Sequence, residues 1–439
     1  MPTTDIRDRR RLDAARAILG HLAGKIDTPF SVELWDGSLV ALGPSADGRY
    51  RIVIDSAGTL GSLLRRPRLE TLAQLYAAGR IDFQGADLIA MFEAARASKV
   101  RLKMRDLRAG ALLRQALPLL TARARSAPPS HRFAGDEIGH DQSRRDEKAF
   151  IQFHYDAGND FYALFLDPEM LYSCGYFTDW TNGLAQAQHD KLDMICRKLR
   201  LQPGERFLDI GCGWGGLLCH AATHYKVQAH GVTLSQAQAD FARAKVERLG
   251  LADRVRIELR SYEELEGEWD KIASIGMYEH VGIANYPTYF GKLNRLLRDR
   301  GLLLNHGITR RAKANRRKFR RIRPENRLIR KYIFPGSELD HIGHSLESME
   351  AQGFEIHDVE GWREHYAMTL RHWHGRLAEN EAAAVALVGR EKYRMWIAYL
   401  AGVTVGFQDG SLRIYQTLAS KHRAKGGQGL PPTRADLYR

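Results

Sequence analysis

Asp209, Gly211, Gly213 and Gly215 occupy alternate positions in the segment FLDIGCGWGG at 207–216. An apolar run that closes on an acid and several glycines is a strand turning tightly into a helix, with a backbone that a ligand can approach where any Cβ would collide. A nucleoside cofactor is the natural occupant. The turn alone is compatible with NAD, with S-adenosylmethionine or with a loop that binds nothing. Two details weigh against NAD. The glycines follow DxGxGxGG instead of GxGxxG, and the next strand closes on Thr233-Leu234-Ser235 with no carboxylate for ribose hydroxyls, leaving that task to Gln238.

These residues need a frame to hold them. Apolar runs predict strands at RFLDIG, QAHGVTL (228–234), VRIELRS, KIASIGM and GLLLNHGI, with helices over 185–199, 235–250 and 286–298 between them. Pro203-Gly204 precedes the first strand, and Gly250 closes the second helix. Strands and helices alternating in this way predict an α/β fold in the Rossmann-like layout of class I methyltransferases, with a mostly parallel, doubly wound sheet and its ligand at the carboxyl ends of the strands. Upstream, VELW and SLVALG flank an Asp36-Gly37 hairpin turn and YRIVID follows. Helical patterns then run through LETLAQLYAAG, GADLIAMFEAARA and a leucine-spaced segment ending near Leu120. Residues 1–121 therefore read as a smaller N-terminal α+β domain, 122–147 as a linker rich in Pro, Gly, Ser and charge, and 148–439 as the catalytic domain.

Composition narrows the partners. The 439 residues are 44% hydrophobic and 27% charged, ordinary for a globular protein. The opening MPTTDIRDRRRLDAAR has no apolar run behind its charges, and the apolar stretch from Met395 to Phe407 is shorter than the roughly 20 residues that span a bilayer, so a cytoplasmic location is expected. Cys174, Cys196, Cys212 and Cys219 have neither CxxC nor disulfide-framework spacing, which predicts free thiols and no metal site. The net charge of +14 is concentrated in residues 310–331, where twelve lysines and arginines face the single acid Glu325. Such a segment fits nucleic acid or an anionic membrane surface. The chain has no Asn/Asp-Pro-Pro-aromatic motif for amino-group methylation and no Pro-Cys nucleophile for cytosine, so no nucleic acid is expected.

HYDAGNDFYALFLDPEMLYSCGYF (154–177), DIGCGWGG, GVTLSQAQ (231–238), SIGMYEHVG (274–282), LNHGI (304–308) and KYIFPG (331–336) follow one another in order. Together they resemble the cyclopropane-fatty-acyl-phospholipid synthases and mycolic acid cyclopropane synthases, strongly over about 148–420 and loosely before that. The resemblance implies that the methyl group of S-adenosylmethionine adds to a cis double bond of a phospholipid acyl chain, after which a proton leaves and a ring closes. A fatty-acyl methyltransferase making methyl or methylene branches is the near alternative. It further implies a bound bicarbonate as proton acceptor, held by Cys174, His306, Tyr366 and the Ile308 amide as donors and by Glu279, which accepts the bicarbonate hydroxyl. Tyr172, Ser173, Gly211, Gly213, Thr233, Leu234 and Gln238 fall on the cofactor site, with Asp209 at its strand end and Tyr262 and Glu263 beside the adenine. Tyr155 is the aromatic placed next to the sulfonium or the carbocation. The substrate class implies peripheral association with the membrane, and the family implies a homodimer. Trp396 and Phe407, on an aromatic helix, are candidates for an acyl tunnel.

Overall fold

The computed structural model describes residues 6–98, 116–123, 132–133, 147–422 and 427–438. Most of the 122–147 linker and of the leucine-spaced segment before Leu120 lies outside them. The chain forms two compact units.

The first unit takes the described residues up to 132 together with 323–328 and 384–405. Strands β1 (Phe30–Glu33), β2 (Leu39–Ala41), β3 (Tyr50–Ile54) and β4 (Ile81–Gln84) form one sheet in the order β2-β1-β3-β4. The expected hairpin is present as antiparallel β1 and β2, and β1 pairs parallel with β3. Helix Ile6–Ala23 buries Ala15, Ile18 and Leu19 against Val32, Leu34 and Leu60, and the helices at Leu69–Ala77 and Leu88–Ala97 form where the periodicity predicts them. The sequence places 384–405 with the catalytic domain, yet it groups here. Arg394 supplies a reason: its guanidinium lies 3.9 Å from the Tyr76 ring centroid, donates to the Tyr76 and Ile81 carbonyls and pairs with Asp82 at 2.9 Å.

In the second unit β5 (Arg206–Ile210), β6 (Gln228–Thr233), β7 (Val255–Leu259), β8 (Trp269–Ile275), β9 (Leu297–Arg310), β10 (Phe354–Gly361) and β11 (Leu412–Lys421) make one sheet, ordered β10-β11-β9-β8-β5-β6-β7. The five strands foreseen are the parallel ones, and β11 runs antiparallel between β9 and β10. Alternate residues serve opposite faces, as the strand period of two requires. Phe207, Leu302 and Leu304 pack with the helices Leu184–Lys198, Gly216–Tyr225 and Gln236–Arg248, whereas Leu208, Ile210 and Leu303 pack with Tyr286–Leu296. Both faces are covered, and strand order reverses at β5, where ligands of open α/β sheets bind. Among the described residues, no helix is long and apolar enough to cross a membrane.

Candidate active site

The turn after β5 is built by glycine. Gly211 has φ +76°, and a Cβ there would stand 3.1 Å from the Met277 side chain. Gly215 caps the helix Gly216–Tyr225 in the left-handed region at φ +80°. The Gly211 and Cys212 amides both donate to the Val232 carbonyl at 2.9 and 3.0 Å, which fixes the turn against the end of β6. A pocket opens above it, lined by Tyr155, Tyr172, Ser173, Asp209, Gly211, Gly213, Thr233, Leu234, Gln238 and Tyr262. All ten are expected cofactor or sulfonium neighbours. Glu263 is not brought to this pocket: it is exposed on a short turn whose amide is capped by Ser261 Oγ.

Two buried polar atoms in the pocket wall suit a nucleoside cofactor. Asp209 is 3% exposed, and its Oδ1 has no hydrogen-bond partner among the described residues. Burial raises its pKa to about 7, against the opposing pull of Lys191. Thr233 Oγ1 receives the Ser235 amide and donates to Gln238 Oε1 at 2.9 Å, so Gln238 Nε2 is turned outward as an unpartnered donor suited to a ribose hydroxyl. The Tyr262 ring is set edge-on to Tyr289 at 5.3 Å. The Tyr172 ring stacks on Trp373 at 5.0 Å, and Tyr155 lies 5.7 Å from Trp214.

Lys191, which sequence reasoning missed, is fully buried in the pocket wall and donates to Ser173 Oγ at 2.8 Å. Burial lowers its pKa to about 8, with Asp167, Cys174 and Asp209 pulling it back. A signal existed, since Lys191 falls on the apolar stripe of its helix with Ala187, Leu192 and Ile195.

The expected proton-transfer residues come from the loop before the helix Leu184–Lys198, the short helix Tyr278–Val281 after β8, β9 and the start of the helix Arg363–Glu379. Glu279, just after β8, is buried; its Oε1 accepts the Ile308 amide at 2.6 Å and its Oε2 has no partner among the described residues. Burial raises this carboxyl to about 7. The Ile308 amide, an expected donor to the anion, is directed at Glu279 in this structure. Cys174 is a buried thiol whose Sγ faces the Gly175 and Trp362 carbonyls at 3.2 and 3.8 Å, and burial pushes its pKa well up. Tyr366 donates its amide to that same Trp362 carbonyl at 3.0 Å, and its ring rests on Phe407 at 4.7 Å. Trp362 also meets the His306 ring edge-on at 5.3 Å, so Cys174, His306 and Tyr366 share one neighbour. Neither Trp396 nor Phe407 lines the cofactor pocket; both are buried in packing.

His306 has a defined tautomer. Lys198, which can only donate, gives a hydrogen bond to Gln416 Oε1 at 2.8 Å and pairs with Glu360. The Gln416 amide nitrogen must then be the atom facing His306 Nδ1 at 2.9 Å, so Nδ1 accepts and Nε2 bears the proton. Burial holds the imidazole well below its usual pKa, and Nε2–H has no partner among the described residues. His306 is therefore a neutral buried donor, and Glu279, which is bonded to the Ile308 amide on the same strand β9, is a buried carboxyl with one free oxygen. Such a pair can hold a small oxyanion, with His306 donating and Glu279 accepting its hydroxyl. Gln416 and Lys198 were also missed, although Gln416 occupies an inward strand position between Ile414 and Leu418.

Comparison with known proteins shows the family and the fold. Residues 142–417 match the family described as mycolic acid cyclopropane synthetase. The chain is 38% identical over 413 residues to a probable fatty acid methyltransferase of Pseudomonas putida, covering 94% of this chain and 96% of that one. It is 36% identical to the cyclopropane-fatty-acyl-phospholipid synthase of Escherichia coli over 66% of this chain and 72% of the relative. The crystal structure of mycolic acid cyclopropane synthase CmaA1 complexed with SAH and CTAB superposes with a TM-score of 0.59 at 35% identity, covering 64% of this chain and all of that one.

Proposed function

The chain belongs to the mycolic acid cyclopropane synthetase family, and from that premise we propose that it methylates a cis double bond in the acyl chain of a phospholipid and closes a cyclopropane ring. It is an S-adenosylmethionine-dependent methyltransferase; bound in the pocket over β5, that cofactor would supply the electrophilic methyl carbon. Gly211 and Gly213 would let it approach the backbone, Gln238 Nε2 would bond a ribose hydroxyl, and Asp209 Oδ1 would accept from a donor of the cofactor.

An alkene is a weak nucleophile, so the residues must bring it close and keep water out. Tyr155 and Tyr172 line the pocket, and aromatic ring faces stabilise positive charge without being methylated. The new carbon–carbon bond forms as the carbon–sulfur bond breaks, leaving a carbocation on the chain. One proton must then leave the methyl group, and the electron pair of that C–H bond closes the ring. The observation that supports this reading best is that Glu279 Oε2 and the neutral His306 Nε2–H are both buried and without a partner among the described residues, as groups that hold a proton acceptor would be. Bicarbonate held there would supply that acceptor.

A second reading is favoured by the likeness over nearly the whole chain to the Pseudomonas putida relative: a branched acyl product, formed when the same cation loses its proton from a neighbouring chain carbon. Lipids from vesicles of cis-unsaturated phospholipid incubated with enzyme and cofactor, analysed by mass spectrometry with ring and branch isomers resolved, separate the two. A ring isomer is expected; a branched isomer alone would transfer the assignment to the second reading.

A further inference from the structure

Away from the cofactor pocket, His189, His220 and His224 converge, each offering a ring nitrogen within 4.8 Å of the others. We propose that these three imidazoles form a binding site for a divalent transition-metal ion of the zinc type. The sequence reading expects no metal because it looks to the cysteines; this cluster exists only once two helices pack.

The helix Leu184–Lys198 supplies His189, and Gly216–Tyr225 supplies His220 and His224, which stand four residues apart on one helical face. The ring centroids of His220 and His224 are 4.5 Å apart, and that of His189 is 5.2 Å from His220. His220 is 9% exposed, and its Nε2 has no hydrogen-bond partner among the described residues; the nearest acid, Asp193 Oδ1, stands 3.9 Å away. That oxygen is already bonded by the Tyr225 hydroxyl at 2.6 Å, and Arg197 pairs with Oδ2. A buried imidazole nitrogen without a partner is costly, and a metal ion satisfies it.

Tetrahedral zinc holds nitrogen ligands at about 2.0–2.1 Å, which places them about 3.4 Å from one another. The exposed His189 and His224 can close the remaining distance by rotation of their side chains. Imidazole suits zinc, copper and nickel, and three such ligands leave a fourth position for water. The two helices also border the cofactor pocket, through Lys191 and Ile195 on one and Gly216 and Leu217 on the other. A metal at the triad would cross-link them.

The test uses full-length protein stripped with a chelator and titrated with zinc chloride by calorimetry. One zinc per chain is expected, with an affinity that falls at least about tenfold in the His189→Ala and His224→Ala variants, whose side chains are exposed and whose folds should persist. Cobalt substitution should give the visible absorption of a four- or five-coordinate site in the parent and lose it in the double variant. Zinc should raise the melting temperature of the parent and not of the double variant. Failure of the parent to bind zinc stoichiometrically, or parent-like zinc affinity in the double variant, would overturn the site.

Discussion

Glu279 is a carboxyl with one oxygen spent on the Ile308 amide, the other free, and a pKa raised to about 7 by burial. Its proposed task, accepting a hydroxyl proton, requires the ionised form. Turnover should therefore rise as pH increases through about 7, since a raised acid pKa leaves the group protonated and inactive below that value. Glu279→Gln should keep cofactor affinity, lower turnover by about two or more orders of magnitude and abolish this rising limb. Near-parental turnover measured at pH 8 would refute the role. Gln416 acts one step further out, by fixing which nitrogen of His306 bears the proton. Gln416→Leu releases that constraint, and turnover should fall about tenfold or more with cofactor affinity unchanged. Nitrogen-15 spectra should show a single Nε2–H tautomer at His306 in the parent and a mixture in the variant; an unmixed tautomer there would sink the assignment.

The strand-to-helix turn after β5 is the element on which cofactor binding rests. Gly211→Val would force a branched side chain to φ +76° and toward Met277, costing about 1–3 kcal/mol and filling the cofactor's approach. Calorimetry should show cofactor binding lost while circular dichroism remains that of the folded protein; undiminished affinity would contradict the site. This element was legible because its strand is apolar, its turn glycine-rich and its helix periodic. The five parallel strands were legible for the same reason, being buried on both faces. The antiparallel pair β10 and β11 was not: half of FEIHDVEG is charged or polar, and only pairing with its neighbours defines it as a strand. Helix Ile6–Ala23 was hidden by the arginines of its first turns, which leave only the narrow stripe of Ala14, Ala15, Ile18 and Leu19 buried. At the site, residue types identified the cofactor turn directly, whereas Cys174, His306 and Tyr366 came only from family resemblance. Lys191, Lys198 and Gln416 were missed because a polar side chain on a buried face reveals its role only through its partners.

At the scale of the whole molecule, the proposed substrate, a phospholipid acyl chain, would lie in a bilayer whose surface the enzyme would have to reach. The cations at 310–331 are divided in role. Arg310 stacks on Phe319 at 3.8 Å and Arg330 donates to the Ser337 carbonyl, while Arg316, Arg317, Lys318, Arg320 and Arg321 are exposed. Phe319, which also meets His341 at 5.3 Å, is thus engaged within the fold, and attraction to the surface falls to the exposed cations. Each contributes roughly 1 kcal/mol near anionic lipid. Replacing those five by Gln should reduce cosedimentation with anionic vesicles and remove its salt dependence, with cofactor affinity unchanged. Parent-like sedimentation would exclude the segment as a membrane contact. The central claim, that a methyl group is added to an acyl double bond and then loses a proton to an acceptor held by Glu279 and His306, is tested most directly by isotope. Enzyme, cis-unsaturated phospholipid vesicles and S-adenosylmethionine bearing a fully deuterated methyl group should give a lipid product in which the added carbon retains two of its three deuterium atoms. An added carbon that keeps all three would contradict the account.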